Sequence, residues 1–242
     1  MPLPIVEIVS HCYSIEHPHY AAFLRYQLAS LMSHHWKECQ PMATVCWCPR
    51  DWATEAVIAE FEDIMPLKLY PMDLSDLGRR CIGRNMAALK SDATIVWFAD
   101  VDQVYRDGVL DRLATMKWPD GASMVFPQDI QISKDHETGD TYAARAMLGQ
   151  EWYPKRPWRN DDFIPKHYNR AIGGVQIVQG DFARKHGYLN GHRKWQTPRT
   201  DGKPFKDFVD DRAYRGVCVK HGPIVPIDLP GMYRLRHSTT TH

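Results

Sequence analysis

No apolar run in the 242 residues approaches the roughly 20 that a membrane-spanning helix needs, so no membrane segment is expected. The start, Met1-Pro2-Leu3-Pro4-Ile5, places no basic leader before its short apolar run, which argues against a secretory signal and for a cytoplasmic location. None of the six cysteines (Cys12, Cys39, Cys46, Cys48, Cys81, Cys218) forms a C-x-x-C pair, so buried free thiols are expected rather than a disulfide framework or a thiolate metal site. The histidines of the first half, His11, His17, His19, His34 and His35, show no metal-ligand spacing. Net charge is nearly absent, at +1, but it is unevenly placed. Five basic side chains face two acidic ones between Trp152 and Arg170, and seven face one between Arg184 and Lys206, so the rest of the chain is acidic. With 44% hydrophobic and 24% charged residues, the composition is that of a soluble globular protein large enough for a substantial core.

What is present centres on Thr94 to Leu113. Ile95 to Ala99 is a short apolar run of β-branched and aromatic residues and reads as a buried strand. It stops on Asp100 and Asp102, which flank Val101. In extended backbone, residues two apart point to one side, so the two carboxylates can serve one hard cation, Mg²⁺ or Mn²⁺. An Asp-rich turn is also a common helix cap and loop former, so D-x-D spacing by itself is weak. A helix is expected to start at Asp107 or Gly108. A strand, an acidic turn and a helix place the carboxylates where open α/β sheets bind ligands.

Alternation of strand and helix runs through the first half. Strands are expected at Ile5 to Ser10, Met42 to Cys48 and Leu67 to Tyr70, with helices at His19 to Ser33, Asp51 to Phe61 and Gly78 to Lys90. The first helix would bury Phe23, Leu24, Gln27, Leu28 and Leu31. This order implies a largely parallel sheet with helices on both faces. Farther on, Ala122 to Phe126, Val175 to Val178 and Ile224 to Asp228 read as strands. Lys134 to Asp140 reads as a turn between hairpin-like flanks. Gly173-Gly174 allows close approach of backbone to a ligand, and Asp181 is expected to cap a short helix ending at Gly187. Trp158 and Trp195 lie in the basic, proline-containing segments, where aromatic and basic side chains can stack on sugars or bases.

Gly83-Arg84-Asn85, followed by the strand and Asp100-Val101-Asp102, resembles the nucleotide-sugar glycosyltransferases of the GT-A fold, especially family 2-like enzymes. The resemblance implies one GT-A domain over residues 1–242: an α/β fold with a mostly parallel central sheet flanked by helices, a nucleotide-sugar-binding half at 1–115 and an acceptor-binding half at 116–242. It implies a donor, usually a UDP-sugar, held by the loop carrying His11 and Tyr13 and by Arg84, Asn85, Asp100 and Val101. Mn²⁺ or Mg²⁺ would sit on Asp100 and Asp102, with His237 completing the shell. Gly173, Gly174, Trp158 and Trp195 would line the acceptor side. Asp210 or Asp211, an acidic pair at the head of a helix, would supply the general base of an inverting transfer, with Asp211 slightly preferred.

One departure is plain. The family's Asp-Asp-Gly-Ser turn after the second strand is replaced by Cys48-Pro49-Arg50-Asp51, and Asp51 is either a substitute or a helix cap. The expected activity is transfer of a sugar to a hydroxyl. The basic, aromatic segments lean toward hydroxymethylated pyrimidines in DNA, as in some phage-encoded enzymes acting in a host cytoplasm, with a saccharide or lipid-linked glycan as the alternative. A nucleotidyltransferase or a catalytically silent nucleotide-sugar binder is a third reading. His11-Cys12-Tyr13-Ser14 lacks the glycine and basic residue of a nucleotidyltransferase phosphate loop.

Overall fold

The computed structural model describes residues 2–15, 17–33, 35–106, 108–147, 160–190 and 210–238. In chain order the elements are β1 (Ile5–Cys12), α1 (His19–Ser33), β2 (Gln40–Trp47), α2 (Trp52–Phe61), β3 (Leu67–Pro71), α3 (Leu74–Leu77), α4 (Arg80–Lys90), β4 (Ile95–Phe98), β5 (Gln103–Tyr105) and α5 (Val109–Thr115). They continue with β6 (Met124–Pro127), β7 (Asp129–Ser133), α6 (His136–Met147), β8 (Phe163–His167), β9 (Gln176–Gln179), α7 (Gly180–His186), α8 (Asp210–Cys218), β10 (Ile224–Ile227) and β11 (Met232–Arg234).

Seven strands form the main sheet in the order β10-β6-β9-β4-β1-β2-β3. Every pairing is parallel except those of β9, which runs antiparallel to both β4 and β6. The sheet is therefore mixed and mostly parallel, with helices packed against it. Its central strands are buried on both faces, and β4 is buried at every position, which is why Ile95 to Phe98 is a continuous apolar run rather than an alternating one. On α1, Phe23, Leu24, Gln27, Leu28 and Leu31 are all buried, as the helical spacing requires. No helix among the described residues is long and apolar enough to cross a membrane, and all six cysteines are free and buried.

A second, four-stranded sheet, β5-β11-β7-β8, stands beside the acidic turn. Its β5 starts directly after Asp102 and pairs antiparallel with β11, placing Arg234 opposite Gln103. The expected turn at Lys134 to Asp140 is instead the start of α6. Asp135 accepts a hydrogen bond from the Thr138 N–H (2.7 Å), a capping contact that diverts a charged, glycine-containing string into a helix. Gly139 lies against the backbone of the C-terminal segment: a Cβ there would stand 1.6 Å from the Arg236 carbonyl oxygen. The same seam is closed by His136 Nδ1 donating to the His237 carbonyl (2.5 Å) and Arg236 N–H donating to Ser133 Oγ (2.8 Å). Asp181 sits in the first turn of α7 rather than at its cap, which is Gln179, while Gly187 closes the helix as expected.

Candidate active site

Four parts of the chain meet at the carboxyl ends of β1 and β4. Asp100 and Asp102 leave β4, α4 passes beside them, β9 is preceded by Gly173-Gly174, and the C-terminal segment returns through β11. Gln27 of α1 fixes the turn from below, donating to the Asp100 carbonyl (2.9 Å) while its own oxygen accepts from Ser10 Oγ (2.6 Å). Leu235 N–H donates to the Asp102 carbonyl (2.8 Å), which ties the C-terminal segment to the turn.

Three guanidinium groups hold the two carboxylates. Arg80 Nη1 and Arg84 Nη2 both donate to Asp100 Oδ1, at 2.8 and 3.2 Å. Arg234 Nε donates to Asp102 Oδ2 at 2.9 Å. Burial alone would raise the Asp100 pKa, but Arg80 and Arg84 outweigh it and hold the group below the usual carboxylate range. Asp102 is shifted the other way, because burial and the neighbouring Asp100 charge prevail over Arg234.

His237 is buried and its Nε2 lies 3.9 Å from Asp102 Oδ2. Burial, and after it the Arg234 charge, brings its pKa down to about 4, so the imidazole is neutral and able to ligate a metal. Asp102 Oδ1 is buried with no hydrogen-bond partner among the described residues. A lone acceptor in the interior is costly unless something completes it. Among the described residues no set of three His, Cys, Asp or Glu side chains closes around an ion. The donors nevertheless fit Mn²⁺ or Mg²⁺ of the kind bound by one or two carboxylates together with substrate phosphates. Asp102 and His237 would hold it, with Asp100 joining them.

The other expected donor residues divide into two groups. His11, at the end of β1, is buried, and neither ring nitrogen has a partner among the described residues. Burial, then Arg84 and Arg80, keeps it neutral. It lies directly under α4, where a Cβ on Gly83 would approach its Nε2 to 2.4 Å. Tyr13 is half-buried and edge-on to Tyr20 (4.9 Å), and Val101 is buried. Arg84 is fully buried; Nη1 donates to Tyr188 Oη (3.1 Å) and Nη2 also to the Ala99 carbonyl (3.2 Å), while Nε has no partner among the described residues, so it reaches the site through Asp100. Asn85 accepts from the Tyr188 N–H (2.9 Å) and so holds the turn after α7. Asp51 is a cap: it accepts from Thr54 N–H and Oγ1 and from Ser14 N–H, joining α2 to the β1 loop.

On the acceptor side, Gly174 is in tight contact, since a Cβ there would lie 2.1 Å from Gln103 Nε2 and 2.9 Å from Asp100 Oδ2. A Cβ on Gly173 would meet Arg84 Nη1, the Asp211 Cβ and Arg80 Nη2 at 3.7, 3.7 and 3.8 Å. Asp210 and Asp211 open α8 as expected. Asp210 faces the cluster, its Oδ1 3.9 Å from Arg80 Nη2. Asp211 is engaged on its own helix by Arg215 (3.3 Å) and the Arg212 N–H (2.7 Å). Trp158 and Trp195 lie outside the described residues. Arg80, Arg234 and Gln103 were not singled out from sequence, and Gln27 was read only as part of the buried stripe of α1. Only Arg80 carried a signal, one helical turn before Arg84.

No protein-family model matches the chain, and no curated protein matches it in sequence. Among solved structures it is similar to residues 1–349 of TarS from S. aureus, at 13% identity and a TM-score of 0.52 over 97% of this chain and 60% of that one. The same TarS segment in complex with UDP gives a TM-score of 0.54 at 13% identity, over 96% of this chain and 60% of that one. The likeness is one of fold. This chain has the α/β fold of the GT-A glycosyltransferases, and it spans 60% of the length of the TarS segment.

Proposed function

We propose that this chain is a metal-dependent glycosyltransferase that moves a sugar from a nucleoside-diphosphate sugar, with uridine as the base, to an acceptor hydroxyl. The observation that carries the reading is the meeting of Asp102, whose buried Oδ1 has no partner among the described residues, and the neutral imidazole of His237 at the end of β4. The UDP bound to TarS in a similar fold supports the choice of donor.

Bond breaking at the anomeric carbon loads negative charge on the departing diphosphate, and a divalent ion, when bound, supplies compensating positive charge there. Asp100, Asp102 and His237 would hold that ion. Arg84 keeps Asp100 ionised and aimed. His11, a neutral imidazole buried under α4, packs beneath the β1 edge of the donor site. Gly174 lets the β9 backbone approach Asp100 without a side chain in the way. In an inverting transfer Asp210 takes the acceptor's proton as the new glycosidic bond forms, because it faces the cluster while Asp211 is bound to Arg215.

For the acceptor, the basic charge gathered at 152–170 and 184–206 favours a polyanion, and a hydroxymethylated pyrimidine base of DNA offers the required hydroxyl. The test is incubation of the protein with Mn²⁺, a panel of nucleotide sugars, and either duplex DNA containing 5-hydroxymethylcytosine or mixed oligosaccharides, followed by product mass. A sugar-sized gain on the DNA nucleoside, lost in Asp102→Ala, supports the full reading. Gain on oligosaccharides alone keeps the glycosyltransferase and refutes the DNA acceptor. No donor turnover with any partner refutes both.

A further inference from the structure

Arg80 stands between the two sides of the site. It opens α4 one turn ahead of Arg84, and its two terminal nitrogens reach different carboxylates: Nη1 to Asp100 Oδ1 at 2.8 Å and Nη2 to Asp210 Oδ1 at 3.9 Å. Gly173 lies beside this span, where a Cβ would meet Arg84, Asp211 and Arg80 only at ordinary contact distances of 3.7, 3.7 and 3.8 Å.

The two arginines on Asp100 are not equivalent. Arg84 is 0% exposed and keeps two further acceptors, Tyr188 Oη and the Ala99 carbonyl, so it is fixed. The Arg80 side chain is 36% exposed. Its Asp100 contact is redundant, because Arg84 holds the same oxygen. Leaving Asp100 therefore strands no charge there, and a side chain 36% exposed moves at lower cost than a fully buried one. A diphosphate brought to Asp100 and Asp102 would offer Arg80 a doubly charged, forked partner, which guanidinium geometry suits better than a shared carboxylate oxygen.

We propose that Arg80 is a positioning residue that rests on Asp100 and Asp210 in the free protein and transfers to the donor diphosphate on binding, thereby releasing Asp210 for the acceptor. This rests on the glycosyltransferase reading above and names the residue that would couple the donor side of the site to the acceptor side. Asp210 stays latched until the diphosphate draws Arg80 away.

The test is binding at fixed Mn²⁺, with UDP read by calorimetry and uridine by ligand-observed NMR, for the wild type, Arg80→Gln, Arg80→Lys, Asp210→Asn and the Arg80→Gln/Asp210→Asn double variant. Thermal midpoints are recorded alongside, and Arg80→Lys serves if the glutamine variant fails to fold. In Arg80→Gln the UDP dissociation constant should rise about 10- to 100-fold, the scale of a charge-assisted contact, with uridine binding unchanged and lysine regaining part of the loss. Asp210→Asn should tighten UDP binding, and that gain should vanish in the double variant, because it acts through Arg80. Equal effects on UDP and uridine, no effect on either, or a gain in Asp210→Asn that persists without Arg80 would each overturn the latch while leaving the glycosyltransferase reading standing. Failure of the wild type to bind either compound would remove that reading, and the latch with it.

Discussion

Removing the Asp100 carboxylate should destabilise the fold as well as abolish donor handling, and the size of that effect follows from Arg84. The Arg84 guanidinium is fully buried and stays charged, because its neighbours outweigh the burial that would otherwise discharge it. Asp100→Ala leaves it without its anionic partner. Deleting one member of a buried ion pair costs about 3–5 kcal/mol. The Tyr188 hydroxyl and the Ala99 carbonyl still accept from Arg84, which places the cost near the lower end, about 3 kcal/mol. For a chain of this size that corresponds to a thermal midpoint lower by about 6–12 °C. Arg80, half-exposed, can turn to water and adds little. The assay is thermal and urea unfolding of the wild type, Asp100→Ala, Arg84→Met and the double variant. The double variant should be more stable than Asp100→Ala alone, since the stranded cation is gone. A midpoint for Asp100→Ala within about 2 °C of the wild type, or strict additivity in the cycle, would refute the claim that this pair is coupled.

Other expectations rest on separate parts of the structure. Gly139→Ala places a Cβ 1.6 Å from the Arg236 carbonyl oxygen, so it should push the C-terminal segment off α6 and carry His237 away from Asp102. Mn²⁺ affinity, read by electron paramagnetic resonance, should fall at least about tenfold, and unchanged affinity would show that His237 is not a ligand. Gly174→Ala drives a Cβ into Gln103 and Asp100; overpacking of this kind costs about 1–3 kcal/mol, and UDP binding should weaken with it in calorimetry. Asp111 gives a pH signature. Burial would raise its pKa, but the Glu38 and Lys37 N–H groups prevail and bring it below its usual 3.8. A depressed carboxylate stabilises the fold above its unfolded pKa and loses that contribution as pH falls through its folded value. Asp111→Asn should therefore be less stable than the wild type at neutral pH. The gap, measured as urea midpoints, should narrow as pH falls through the usual carboxylate range and below it.

Much of the frame was legible in the residues because local physics decided it. The buried stripe of α1 and the apolar run of β4 leave one way to satisfy both backbone and side chains. Asp51 could be a base-binding acid or a cap by sequence, and only its contacts with Ser14 and Thr54 make it the cap. The α6 segment misled because charged residues around a glycine usually mark a turn, whereas here Gly139 is small so that another strand of backbone can lie against the helix. Arg234 was invisible and Arg80 only hinted at, by its helical spacing to Arg84, for a different reason. Their roles depend on partners 132 and 20 residues away, through a β5–β11 pairing and a helix orientation that no local pattern encodes.

The central claim, that the acidic turn and His237 form a metal-assisted nucleotide-sugar site, is tested most directly by calorimetric titration of UDP in Mn²⁺ and again in excess chelator, for the wild type and Asp102→Asn. The account predicts saturable binding with Mn²⁺ that is lost in chelator and in the variant. Equal binding with and without Mn²⁺, or none at all in the wild type, would contradict it.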